Sequence, residues 1–111
     1  RPMVRAVVLD LARGVAAATI AGRFHETLAV AAELLVGRAA EESGEELPVA
    51  LTGGCFQNAL LAERVAERLR VRHRVLLHGE IPPGDGGISL GQAVVAAARL
   101  AADIEEGAAC V

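Results

Sequence analysis

The stretch Pro48-Val49-Ala50-Leu51-Thr52-Gly53-Gly54-Cys55-Phe56-Gln57-Asn58 decides the fold, because here the texture of the chain changes. Pro48–Thr52 is short, apolar and bounded by turn residues, which predicts a buried strand. Gly53-Gly54 breaks it. From about residue 57 to 70 the apolar residues return at helical spacing, with Leu60, Leu61, Val65 and Leu69 on one face. Val75-Leu76-Leu77 is a second short strand, and Pro82-Pro83-Gly84-Asp85-Gly86-Gly87 is a loop. Strand, helix and strand make one βαβ unit, so the two strands are expected to be parallel with a right-handed crossover.

Outward from this unit the chain is helical. Pro2 suits the first turn of a helix through Met3, Val4, Val7, Val8 and Leu11, which Gly14 stops. A second helix is expected over about residues 16–42, with Ile20, Phe24, Leu28, Ala31, Leu34 and Leu35 three or four apart. Ser43-Gly44 ends it, and Glu45-Glu46 is a solvated link. A last amphipathic helix is expected over about 88–105, carrying Ile88, Leu90, Val94, Val95 and Leu100. The expected class is α/β, in the order α-α-β-α-β-α.

At 111 residues, 53% hydrophobic and 23% charged, the chain is one domain or part of one. Disorder is excluded by the apolar content, and two cysteines cannot make a disulfide scaffold. No apolar run approaches the ~20 residues of a membrane span, and no leader pattern opens the chain, so a cytoplasmic setting without membrane contact is expected. Arginine supplies all eleven basic residues against fourteen acidic ones. A net charge of −3 is no match for nucleic acid. A two-stranded parallel sheet is not stable alone, and the first residue is Arg1 rather than Met. Both suggest a fragment that has lost an N-terminal part of its own chain and hides its orphaned apolar surface by self-association.

Two loops could carry chemistry. Thr52-Gly53-Gly54 lies between a strand's carboxyl end and a helix start, the edge where α/β sheets bind ligands. Paired glycines let backbone amides approach an anion. Thr52 can add a hydroxyl, and Asn58 can cap the helix or hold a ribose or phosphate oxygen. A plain turn is the alternative. In the second loop Asp85, beside Gly86 and Gly87, could cap the next helix or ligate a metal. Lying on neighbouring parallel strands, the two loops should sit side by side, which suits a nucleotide with its metal ion.

The remaining candidates are weaker. His25 reads as a packing or partly exposed residue of the second helix. His73 and His78 flank a strand on opposite faces and cannot jointly hold a metal. No Cys-x-x-Cys or His-x-x-x-His pair supports a zinc site. Cys55 near a helix start could be a nucleophile or a small buried thiol. Cys110 falls in a tail. The arginines at 64, 68, 70, 72 and 74 read as a solvated helix C-terminus, with Arg64 and Glu67 an opposite-charge pair.

Three stretches carry a family resemblance. Leu51-Thr52-Gly53-Gly54-Cys55-Phe56-Gln57-Asn58 resembles the Ser-Gly-Gly-Val-Phe-Gln-Asn stretch of hydrogenase maturation carbamoyltransferases (HypF). Residues 82–93 resemble that family's Pro-Pro-Asn-Asp-Gly-Gly-Ile-Ser-Leu-Gly-Gln. Arg23-Phe24-His25-Glu26-Thr27-Leu28-Ala29 is similar to its Arg-Phe-His-Asn-Thr-Leu-Ala helix. The departures are Thr52 for Ser, Cys55 for Val, Glu26 for Asn and Gly84 for Asn.

The resemblance implies part of an actin-like ATPase (ribonuclease H-like) fold, at the end of a catalytic module shared with tRNA threonylcarbamoyl transferases. In this reading residues 1–46 form a helical part and residues 47–111 a nucleotide-binding part. It implies transfer of a carbamoyl group from carbamoyl phosphate with ATP, through carbamoyl adenylate, to the C-terminal cysteine of a HypE-type acceptor. That thiocarboxamide becomes the cyanide ligand of [NiFe]-hydrogenase. Thr52, Gly53, Gly54, Asn58, Gly86 and Gly87 would hold the nucleotide, and Asp85 a divalent metal (Zn, Mg or Fe). The family's two metal-binding histidines have no counterpart in His25, His73 or His78, and Cys55 becomes a packing residue. The fragment alone should be inactive. A tRNA threonylcarbamoyl transferase-like domain and a non-catalytic interaction module are the rival readings.

Overall fold

The computed structural model describes residues 2–108, and the side chains of residues 2–102. Cys110 lies outside the described residues. Helices α1 (Pro2–Ala12) and α2 (Ala17–Ser43) come first. Strand β1 (Val49–Leu51), a 3₁₀ turn (Gly54–Gln57) and helix α3 (Ala59–Leu69) follow. Strand β2 (Val75–Leu77), a second 3₁₀ turn (Asp85–Gly87) and helix α4 (Ile88–Ala108) complete the order. The third helix starts two residues later than the spacing predicts, because the glycine corner first winds into its own short turn. Likewise, the Pro82–Gly87 stretch is not wholly irregular, since Asp85–Gly87 winds into a turn that runs into α4.

The sheet is two-stranded and parallel, with Val49 opposite Val75, Ala50 opposite Leu76 and Leu51 opposite Leu77. The strands are less buried than expected. Leu51 is buried, but Leu76 and Leu77 are 42% and 47% exposed. The face carrying Val49, Leu51 and Val75 packs on the helical core, whereas Ala50 and Leu76 on the other face, and Leu77 at the strand's end, are exposed.

The core lies where α2 crosses α3. Ala29, Leu51, Val65, Ala66 and Leu69 are buried, and Ala32, Val36, Phe56 and Leu61 pack against them. Here two expectations need correction. On α2 the buried stripe runs through Ala29 and Ala32, while Leu34 and Leu35 face solvent. On α3, Ala66 is buried and Leu60 is exposed. Small side chains at the crossing let the helix axes approach, and the larger residues beside them are turned outward.

Gly44 ends α2 in the left-handed conformation (φ 66°), its amide bonded to the Ala40 carbonyl. Helix α1 leans on α2 and is tied to it by Arg23 and Asp10, 2.6 Å apart. Every described side chain of α4 is exposed. Among the described residues no helix is long and apolar enough to cross a membrane.

Candidate functional site

Both loops leave the carboxyl ends of the parallel strands, and a direct bond joins them. The Gly53 amide donates to the Pro83 carbonyl at 2.7 Å. The Thr52 hydroxyl reaches the same oxygen at the outer limit of hydrogen bonding, 3.5 Å. Gly53 makes this corner with φ 101° and ψ 158°, a region essentially reserved for glycine. The chain then turns into the 3₁₀ segment, closed by the Phe56 amide on the Gly53 carbonyl.

The joined corners flank an open cleft of about 570 Å³. Thr52, Gly53, Asp85 and Gly87 line it, together with His78, Pro82, Ile88 and Leu90. Gly54, Asn58 and Gly86 are not on its wall. Spacing alone does not mark His78 as a site residue. Its signal is there in part: it follows β2 directly, at the same strand edge as the two loops.

Asp85 is exposed rather than turned inward. The capping alternative does not hold. No side-chain cap bond forms at the second 3₁₀ turn, where the Gly87 amide instead bonds the Gly84 carbonyl. Among the described residues the Asp85 carboxylate makes no hydrogen bond, so both oxygens are free to accept. No group of three or more possible metal-ligating side chains occurs among the described residues. The donor set therefore fits a metal only as one carboxylate of a site completed by other residues.

The free amides of the glycine corner are also fewer than spacing suggests. Gly53 spends its N–H on Pro83. Gly54 and Cys55 open the short turn, so their amides have no partner within it. Asn58 caps α3, its side chain accepting from the Leu61 amide. Its other end meets His25, whose Nε2 lies 2.8 Å from Asn58 Nδ2. Sequence reading treats His25 as a packing or partly exposed residue; it is half-buried, and its bond to Asn58 is not signalled by local spacing.

Cys55 is free and exposed, which corrects its reading as a buried or packing thiol. It stands in a one-turn helix whose inward contact is made by Phe56. The arginine cluster is not simply solvated either. Arg68 bonds Glu33 at 2.9 Å and also Glu26, both on α2. These carboxylates hold the Arg68 pKa up, and Arg68 holds that of Glu26 down, chiefly through the hydrogen bond. Arg64 pairs with Glu67 as expected.

Residues 1–92 match a family described as the second subdomain of a carbamoyltransferase Kae1-like domain. Carbamoyltransferase HypF of Rhodobacter capsulatus is 46% identical over 92 residues, covering 81% of this chain and 12% of that protein. HypF2 of Cupriavidus necator is 42% identical over 84 residues, covering 75% of this chain and 10% of its own. A HypF homolog from the same organism is 43% identical over 104 residues, 85% of this chain and 26% of the relative. The chain thus spans about a tenth to a quarter of the length of these relatives. No solved structure matches.

Proposed function

The chain belongs to the HypF carbamoyltransferase family, in its Kae1-like second subdomain, and from that premise we propose that it forms part of the catalytic module of such an enzyme. The fold in which it takes part is actin-like. Residues 1–46 are its helical part and residues 47–111 contribute to nucleotide binding. The complete enzyme acts in the cytoplasm and takes ATP and carbamoyl phosphate. It passes the carbamoyl group, through carbamoyl adenylate, to the C-terminal cysteine of a HypE-type acceptor in hydrogenase maturation.

The observation that carries this reading is the Gly53–Pro83 bond, which fixes two ligand-type corners on one cleft. A mixed anhydride is anionic and sensitive to water. Its transfer calls for fixed donors and a cation near the developing charge, with a nucleophile from elsewhere. On this chain Thr52 and Gly53 line the phosphate side of the cleft and Gly87 the other, Gly54 and Gly86 continue these two glycine turns off the wall, and Asp85 supplies one metal ligand. A divalent metal bound there would withdraw charge from phosphoryl and carbamoyl oxygens. Asn58 retains one amide hydrogen and one oxygen lone pair beyond its two bonds, enough to take a nucleotide oxygen or ring nitrogen. Cys55 takes no part, since the attacking thiol is the acceptor's.

The test is ATP-dependent carbamoylation of the acceptor cysteine by the full-length enzyme, read by mass spectrometry. Asp85→Ala should lower turnover by about 10²-fold or more, the order of effect expected for losing several kcal/mol of charge stabilisation. Unchanged turnover would mean that these loops merely turn corners in an interaction module.

A further inference from the structure

Asn58 is held from two sides by groups on different helices. Its Oδ1 accepts the Leu61 amide at 3.2 Å, which is the N-cap bond of α3. Its Nδ2 lies 2.8 Å from Nε2 of His25, on α2. The other imidazole nitrogen, Nδ1, lies 2.8 Å from the Ala21 carbonyl oxygen. A carbonyl oxygen only accepts, so Nδ1 carries the hydrogen. Asn58 Nδ2 can only donate, so Nε2 accepts from it through its lone pair.

These three bonds admit one orientation of the Asn58 amide. Turned over, its oxygen would face the imidazole lone pair and its NH₂ would face the Leu61 N–H. Capping alone needs only the Leu61 bond. The second bond, made across 33 residues of sequence, adds a direction to a side chain already anchored. Asn58 is exposed at the end of the glycine turn, off the cleft wall itself, with one N–H and one lone pair unspent.

We infer that His25 is a positioning residue of the nucleotide site: through Asn58 it presents that unspent donor and acceptor to the nucleotide in one fixed orientation. The inference rests on the function proposed above. His25 acts through its neighbour and touches no ligand itself.

The experiment compares full-length enzymes carrying His25→Leu, His25→Gln, His25→Asn and Asn58→Ala. The readouts are the equilibrium Kd for ATP, the split of KM for ATP against kcat, and Tm. Leu removes the acceptor. Gln can set an oxygen near the Nε2 position, and Asn is too short to reach it. His25→Leu should weaken ATP binding about three- to tenfold, with kcat nearly unchanged, as for one lost orienting hydrogen bond. His25→Gln should recover most of that affinity and His25→Asn should not. Adding His25→Leu to Asn58→Ala should cost no further affinity.

Equal weakening by Leu and Gln, additive losses in the double variant, or a lower Tm with unchanged Kd would each overturn the inference. If His25→Leu does not accumulate as folded protein, the contrast between Gln and Asn decides in its place. Unchanged ATP affinity in Asn58→Ala would remove the inference, while Asp85→Ala separately decides whether the wider catalytic reading stands.

Discussion

Gly53 stands with φ 101° and has open space where a Cβ would be added. The barrier to substitution is therefore backbone strain rather than crowding. Gly53→Ala should destabilise the enzyme by about 1–3 kcal/mol, seen as a lower denaturation midpoint. Activity should fall with it, because the Pro83 bond depends on that backbone. Gly84 is the opposite case. A Cβ there would lie 2.5 Å from the Gln57 amide nitrogen, the movable end of a side chain. Gly84→Asn, which restores the residue of the resembled motif, should fold normally and displace Gln57, visible as a changed Gln57 rotamer in a crystal structure. The glycine corner and Asp85 were legible in the sequence because turn residues announce themselves by type. The His25–Asn58 bond was not, because nothing in local spacing tells which residues of α2 lie over the start of α3.

At the scale of elements, α2 and α3 are joined by a small apolar seam and a charged rim. Leu69 and Val65 are the largest fully buried side chains. Leu69→Ala should cost about 2–5 kcal/mol of stability, as a cavity in a well-packed seam does. The rim gives a pH signature. Hydrogen bonding to Arg68 lowers the Glu26 pKa below its ordinary 4.5 in the folded chain. Its stabilisation is then complete above the ordinary carboxylate range and is lost as pH falls through the lowered value. Glu26→Gln should therefore unfold more easily than the parent near neutral pH, and the gap should close in acid. Helix positions and the βαβ unit were readable from periodicity and turn residues. The buried face of α2 was not. Where alanine occupies so many positions, several helical stripes are equally apolar, and the one that packs is chosen by how closely a partner can approach. Side-chain size therefore points to Leu34 and Leu35, while Ala29 is the residue buried.

As a whole the chain is elongated, 75 × 33 × 23 Å with a radius of gyration of 19.9 Å. A compact domain of this length would have a radius near 13 Å. Val4, Val8 and Leu11 on α1 are exposed, as are Val94, Val95 and Leu100 on α4. Such surface is what interfaces bury. The 111-residue chain, prepared alone, should self-associate in light scattering and show no carbamoyl transfer. A clean monomer at micromolar concentration would contradict the first expectation.

Among the described residues helix α4 packs against little beyond the turn that opens it, and that turn contains Asp85. At 1.5 Å per residue its 21 residues make a rod of about 31 Å. A tilt of about 10° at the base would sweep the far end through about 5 Å. The geometry runs equally in reverse: a neighbour that grips the distal turns has a long lever arm, with the carboxylate at its fulcrum.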